Sequence, residues 1–125
     1  MSASILIADD YEDNRELLRL MLATDGYTIL EARNGRECVS MARLDPPDLV
    51  LVDLAMPELD GWGVLRELRA DERTNSVLCV AVSASASAGH ESAIEKGFSD
   101  YLAKPFRKQD LLNMVARLLA DKQKG

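Results

Sequence analysis

Acidic residues stand at two places in this chain where an apolar run stops. The run Ser4–Ala8, SILIA, ends on Asp9 and Asp10, and the run Leu49–Val52, LVLV, ends on Asp53. Ser83 follows a third such run, SVLCVAV, and Lys104 follows a fourth, the short DYLA. Brought to one crevice, the three carboxylates repel one another unless a positive charge sits among them. A divalent cation supplies that charge. An all-oxygen donor set points to magnesium, which binds through few carboxylates plus a substrate phosphate and keeps several waters; Mn2+ is the substitute to expect. Lys104 offers a fixed cation for a phosphoryl oxygen, and Ser83 a hydroxyl donor. These are the parts of a phosphoryl-transfer site, where positioning and charge neutralisation supply nearly all the catalysis. The natural nucleophile is a carboxylate, Asp53 is centrally placed, and the product is an acyl phosphate.

The elements that must position these groups can be read from periodicity. Leu49–Val52 is apolar without interruption, as in a strand buried on both faces, because a half-exposed strand alternates. Pro57 cannot donate to a ladder and Asp60-Gly61 reads as a turn, so Asp53 ends a core strand. That edge is where open α/β sheets bind ligands. Ser4–Ala8 is the first strand. Glu12–Thr24 is a helix with Leu17, Leu18, Met21 and Leu22 at helical spacing, stopped by Asp25-Gly26. Tyr27–Ala32 makes a second strand, and Asn34-Gly35 opens a helix carried by Cys38, Val39, Met41 and Ala42 to about Leu44, ahead of Pro46-Pro47. A third helix comes after Gly61 with Val64, Leu65 and Leu68 on one face, and Trp62 is a packing residue at its start. Ser76–Val82 is the fourth strand.

The stretch SASASAG, Ser83 to Gly89, holds only serine, alanine and glycine, which predicts a mobile loop and then a short, weak helix ending near Lys96-Gly97. Asp100–Ala103 is a fifth strand. A last helix runs from about Lys108 to Ala120 with Leu111, Leu112, Val115, Leu118 and Leu119. Five strands alternating with five helices predict an α/β fold, a parallel sheet covered on both faces with right-handed crossovers.

Composition narrows the function classes. The 125 residues are the size of one domain. A formal net charge of −6 argues against nucleic acid as a direct partner, which calls for a clustered basic surface. No signal peptide or membrane-length apolar run is present, so the expectation is a soluble cytoplasmic protein without a membrane partner. Cys38 and Cys79 lie in helical and strand-like runs without ligand-like clustering, and are expected to be buried reduced thiols. His90, the only histidine, is expected to be exposed and has no phosphotransfer role.

The ordered set Asp9-Asp10, Asp53 with its following LAMP and Asp60-Gly61, Ser83 and Lys104-Pro105 resembles the receiver domain of two-component response regulators, of the single-domain chemotaxis-regulator type. The resemblance covers Ser4 to Ala120. It implies a flavodoxin-like, doubly wound sheet in the order 2-1-3-4-5, which opens a crevice between Asp9-Asp10 and Asp53. It further implies that Asp53 accepts a phosphoryl group from a histidine kinase or histidine phosphotransfer protein, and that Asp10 and Asp53 bind magnesium. Asp9 would act through a metal-bound water, Ala55 would add its backbone carbonyl, and Ser83 and Lys104 would hold the phosphoryl oxygens. The Lys104-Pro105 bond is expected to be cis. Tyr101 matches the aromatic that turns inward as Ser83 moves. Serine stands where many members have threonine, and Ala55 and Ser85 occupy the two variable positions associated with phosphoryl lifetime.

The resemblance implies a phosphorylation-operated switch rather than an enzyme, with slow self-dephosphorylation at most. It would act on an unknown downstream protein through the face of helix four, strand five and helix five, as a monomer or weak dimer. The phosphodonor is expected against Asn14, Arg15 and Leu18 with Pro105 and Phe106. One rival is a receiver trimmed from a longer regulator or hybrid kinase. Another is a magnesium-dependent aspartyl-phosphate phosphohydrolase of the haloacid-dehalogenase type, which carries an acid where this chain has Ala55 and a cap domain that this chain lacks. Residues 1–125 are read as a single receiver domain with no output domain.

Overall fold

The computed structural model describes residues 3–84 and 89–124. Its strands are β1 (Ser4–Ala8), β2 (Thr28–Ala32), β3 (Leu49–Asp53), β4 (Leu78–Ser83) and β5 (Asp100–Ala103). Between and after them come α1 (Glu12–Ala23), α2 (Gly35–Leu44), α3 (Gly61–Arg69), α4 (His90–Lys96) and α5 (Lys108–Lys124). All ladders are parallel and the sheet order is β2-β1-β3-β4-β5, the doubly wound arrangement that the family resemblance implies.

Successive side chains of a strand point to opposite faces, and here both faces are covered. Ile5, Ile7, Leu49, Leu51, Val80 and Val82 pack beneath α1 and α5, against Leu18, Leu22, Leu111 and Val115. Leu6, Ala8, Val50, Val52, Cys79 and Ala81 pack on the other face, against Cys38 and Val39 of α2 and Val64, Leu65 and Leu68 of α3. Double coverage is why β3 is apolar at four consecutive positions. Each such Leu, Ile or Val side chain contributes about 1.5–3 kcal/mol by leaving water.

Side chains and glycines fix where the helices start and stop. Asn34 Oδ1 accepts the Glu37 N–H at 2.8 Å, and Asp60 Oδ1 accepts the Gly63 N–H at 2.9 Å, so both are N-caps. Gly97 closes α4 at φ +112°, a left-handed cap that glycine adopts without steric cost.

A few boundaries differ from the sequence expectations. α5 continues past Ala120 to Lys124, because no glycine or proline interrupts it and Lys122 Nζ reaches Asp48 Oδ1 at 3.5 Å. β4 begins at Leu78 rather than Ser76. The Val77 N–H turns back to the Thr74 carbonyl, and the buried Thr74 hydroxyl donates to the Leu68 carbonyl at 2.7 Å. Leu17, read as part of the apolar face of α1, is 52% exposed. Cys38 and Cys79 are buried free thiols, as expected. The central residues of SASASAG, Ser85 among them, lie outside the described residues, as does the side chain of His90. No helix among the described residues is long and apolar enough to cross a membrane.

Candidate functional site

The connection reverses direction between β1 and β3, and the acids stand on either side of that point. Asp9 and Asp10 come directly after β1, while Asp53 is the last residue of β3. One carboxylate oxygen from each of the three lies within 4.8 Å of the other two. Lys104, one residue beyond β5, places Nζ 3.7 Å from Asp53 Oδ2 and 3.8 Å from Asp9 Oδ2. The sequence-predicted acids and lysine are therefore together.

Each acid is held differently. Asp9 is 2% exposed, and its Oδ1 accepts the Tyr11 N–H at 2.9 Å. Burial pushes the Asp9 carboxyl above the ordinary carboxylate range; the Tyr11 N–H opposes this, the Asp53 charge adds to it, and Lys104 and Asn14 oppose it. Asp53 Oδ1 accepts the Ala55 N–H at 3.1 Å. Asp10 Oδ1 is buried and has no hydrogen-bond partner among the described residues. A buried carboxylate oxygen without a donor, beside two more carboxylates, suits a hard oxygen-seeking cation, and the donor set fits Mg2+.

Ser83 and Tyr101 are placed by register. Asp53 pairs with Val82 across β3–β4, which sets Ser83 one position further toward the same edge. Ser83 is buried and pairs with Ala103, its carbonyl accepting the Lys104 N–H at 2.9 Å. The Lys104-Pro105 bond is cis. Tyr101 pairs with Ala81 and packs, half-buried, against the core beneath α2, α3 and α4.

Sequence reasoning missed Arg15 at this site. It was expected on a docking surface, yet it is 8% exposed and its Nη1 donates to the Asp9 carbonyl at 2.7 Å. Its Nε pairs with Glu31 Oε1 at 3.3 Å, and Glu31 also meets Arg19. The long side chain thus turns inward and pins the backbone that carries the acidic pair. The surface beside it is a groove of about 190 Å3 lined by Asn14, Leu17, Leu18, Met21, Lys104, Pro105 and Phe106. It contains the other expected docking positions.

Comparison with known proteins agrees with this geometry. A family model described as the response regulator receiver domain matches residues 5–116. The chain belongs to that family. This receiver is 33% identical over 122 residues to the polar-differentiation response regulator DivK of Brucella ovis, covering 97% of this chain and 99% of that protein. Among solved structures, the receiver domain of the sensor histidine kinase PA1611 from Pseudomonas aeruginosa, with magnesium coordinated in its active-site cleft, matches at TM-score 0.88 and 31% identity over 96% of this chain and 99% of that one. A response regulator receiver domain protein from Clostridium thermocellum matches at TM-score 0.87 and 26% identity, over 97% of each chain. Receivers are signalling switches rather than classical enzymes, and this one has the flavodoxin-like architecture of its relatives.

Proposed function

We propose that this receiver accepts a phosphoryl group on Asp53 from the phosphohistidine of a histidine kinase or histidine phosphotransfer protein, and signals by binding another protein. The observation that carries this reading is the meeting of Asp9, Asp10 and Asp53 within 4.8 Å, with Lys104 at 3.7 Å from Asp53, at the switch point of the sheet. A carboxylate oxygen of Asp53 attacks phosphorus while the donor P–N bond breaks, and the imidazole leaves with the electron pair and takes up a proton. Asp10, Asp53 and the Ala55 carbonyl would hold Mg2+, with Asp9 acting through a water, and the ion would neutralise charge on the phosphoryl oxygens. Lys104 and Ser83 bind those oxygens.

The phosphoryl group adds charge at the crevice and biases Ser83, α4 and Tyr101 between two arrangements, which are read out on the face of α4, β5 and α5. The groove between α1 and Phe106 receives the phosphodonor. In this reading the receiver works in the cytoplasm by itself, as a monomer or weak dimer; the match to DivK, which extends over 99% of that response regulator, favours a signalling role of the same kind. The likeness to the receiver of PA1611 favours, as a second reading, service as one module of a hybrid kinase. Self-dephosphorylation is slow.

Labelling with acetyl phosphate and Mg2+ tests the central assignment. The parent is expected to take up one phosphoryl group per chain and Asp53→Asn none; equal labelling of the variant overturns it. For the switch, hydrogen exchange of α4 with and without beryllofluoride and Mg2+ is expected to differ, and identical protection at full occupancy refutes it.

A further inference from the structure

Basic side chains in this protein are generally paired with acids, as Arg36 is with Glu67, Arg73 with Asp71 and Lys122 with Asp48. Arg66, Arg69 and Lys96 form no ion pair among the described residues, and all three line one cavity of about 580 Å3 between α3 and the end of α4. Trp62 and Leu65 also line it, and among the described residues no carboxylate does. The other described cations without an acid partner, Arg107 and Lys108, lie at the start of α5 and outside the cavity. A protein of net charge −6 thus gathers unpaired positive charge at one concave place.

Helical spacing produces this gathering. Positions 62, 65, 66 and 69 recur at three and four residues, one face of α3, and Lys96 comes from the last turn of α4. Trp62, the only tryptophan, is held edge-on by Phe98, with ring centroids 5.4 Å apart at 67°. Lys96 Nζ lies over the Trp62 ring, 5.9 Å from its centroid, and would swing aside for a base to stack on that face. Arg69 is fixed by carbonyls, donating to Val77 at 2.7 Å and Gly97 at 3.1 Å, and so forms a rigid wall. Arg66 and Lys96 are the exposed cations of the lining.

We infer that this cavity binds a purine mononucleotide, the base stacking on Trp62 and the phosphate meeting Arg66 and Lys96. Guanidinium and ammonium groups beside a large aromatic face suit a planar anion, and the volume lies within the roughly 300–1,000 Å3 of small-molecule sites. An acidic peptide would use the cations but bring no planar ring to the indole. A nucleic-acid strand would extend beyond the cavity over a protein whose net charge of −6 repels it. The site shares no residue with the acidic crevice.

Trp62 reports directly on its own site. The full chain is titrated in EDTA with GMP and AMP, following tryptophan emission corrected against free N-acetyltryptophanamide, with pyrophosphate and hexaglutamate as comparison anions. Saturable quenching by a mononucleotide at or below about 1 mM is expected. Arg66→Gln and Lys96→Gln are each expected to weaken it at least about fivefold, while Lys122→Gln leaves it unchanged. Absence of saturable quenching by either nucleotide, equal quenching by hexaglutamate or pyrophosphate, or unchanged binding in both variants overturns the assignment.

Discussion

Lys104 Nζ reaches Asp53 Oδ2 at 3.7 Å by crossing the carboxyl end of β4, which lies between their two strands. The same ammonium is 3.8 Å from Asp9 Oδ2, so one cation offsets two buried carboxylates. The lysine side chain is only 26% exposed, and at an effective dielectric near 20 its removal matters more than that of a surface pair. Lys104→Gln is therefore expected to lower stability by about 1–2 kcal/mol in metal-free buffer, as read by urea unfolding. Magnesium should restore most of the loss by supplying the missing charge. Acetyl-phosphate labelling should slow by at least about tenfold, because the phosphoryl oxygens lose their fixed cation.

Asp10 makes the opposite case. Its buried Oδ1 has no donor among the described residues and faces two further carboxylates. Removing its charge relieves repulsion, so Asp10→Asn is expected to raise the metal-free melting temperature, by about 1 kcal/mol of stability, and to abolish the shift that Mg2+ produces in the parent. A variant that melts lower than the parent without metal, or still responds fully to Mg2+, contradicts this.

Gly61 keeps the β3–α3 turn close to Asp53. A Cβ there would stand 2.7 Å from the Asp53 carbonyl oxygen and 2.8 Å from Leu54 Cα, both backbone atoms. Gly61→Ala is expected to cost about 1–3 kcal/mol and to weaken Mg2+ binding, because the turn and Asp53 must shift together. At Gly26 a Cβ meets nothing within 4 Å, and only its φ of +78° opposes substitution. Gly26→Ala should cost about 1 kcal/mol and leave Mg2+ affinity unchanged. Calorimetric titration of both variants separates strain at the site from strain elsewhere.

Burial pushes the Cys38 thiol up to about 12 and that of Cys79 to about 11. Both folded values exceed the ordinary value of 9.0, so between them the unfolded chain binds fewer protons and stability falls as pH rises. The contribution is complete below pH 9 and declines by up to about 1.4 kcal/mol per thiol per pH unit above it. Cys38→Ala, less stable than the parent at pH 7 by about 1 kcal/mol through lost packing, should therefore show a narrowing gap from pH 9 upward. In native buffer neither thiol should react with Ellman's reagent on the time scale of an exposed cysteine.

Most of this architecture was legible because one pattern had one physical cause. Leu49–Val52 is apolar throughout because helices cover both faces of β3, and Asp53 breaks the run where the sheet edge meets the crevice. The resemblance distinguished Asp10 from Asp9 as a metal ligand, but their different hydrogen bonding was not legible in the residues themselves. Adjacent carboxylates look alike in sequence, and only the turn decides that Asp9 accepts the Tyr11 N–H while Asp10 keeps an unsatisfied oxygen. Arg15 was misread because helical periodicity assigns charged residues to the surface, whereas its long stem finds the Asp9 carbonyl through a tertiary contact. Asp60 was read as a turn residue and is the cap of α3; an aspartate just ahead of a helical pattern was the available signal.

Leu17 shows the converse, an apolar residue at helical spacing that the core does not take. It is 52% exposed and lines the groove with Leu18, Met21, Pro105 and Phe106, next to Lys104. A protein phosphodonor that delivers its phosphohistidine to Asp53 would have to pass over this rim, whereas acetyl phosphate is small enough to enter without touching it. Leu17→Asp removes no group from the acidic crevice and no buried side chain from the core, so folding and small-molecule labelling should stay within about twofold of the parent. Transfer from a histidine phosphotransfer protein should fall by at least about tenfold, since a charge placed in an apolar contact loses solvation that the partner does not replace. Comparing the two donors on one variant separates docking from chemistry: a parallel loss with both donors would mean that Leu17 acts on the site itself, and no loss with either would move the phosphodonor to another face.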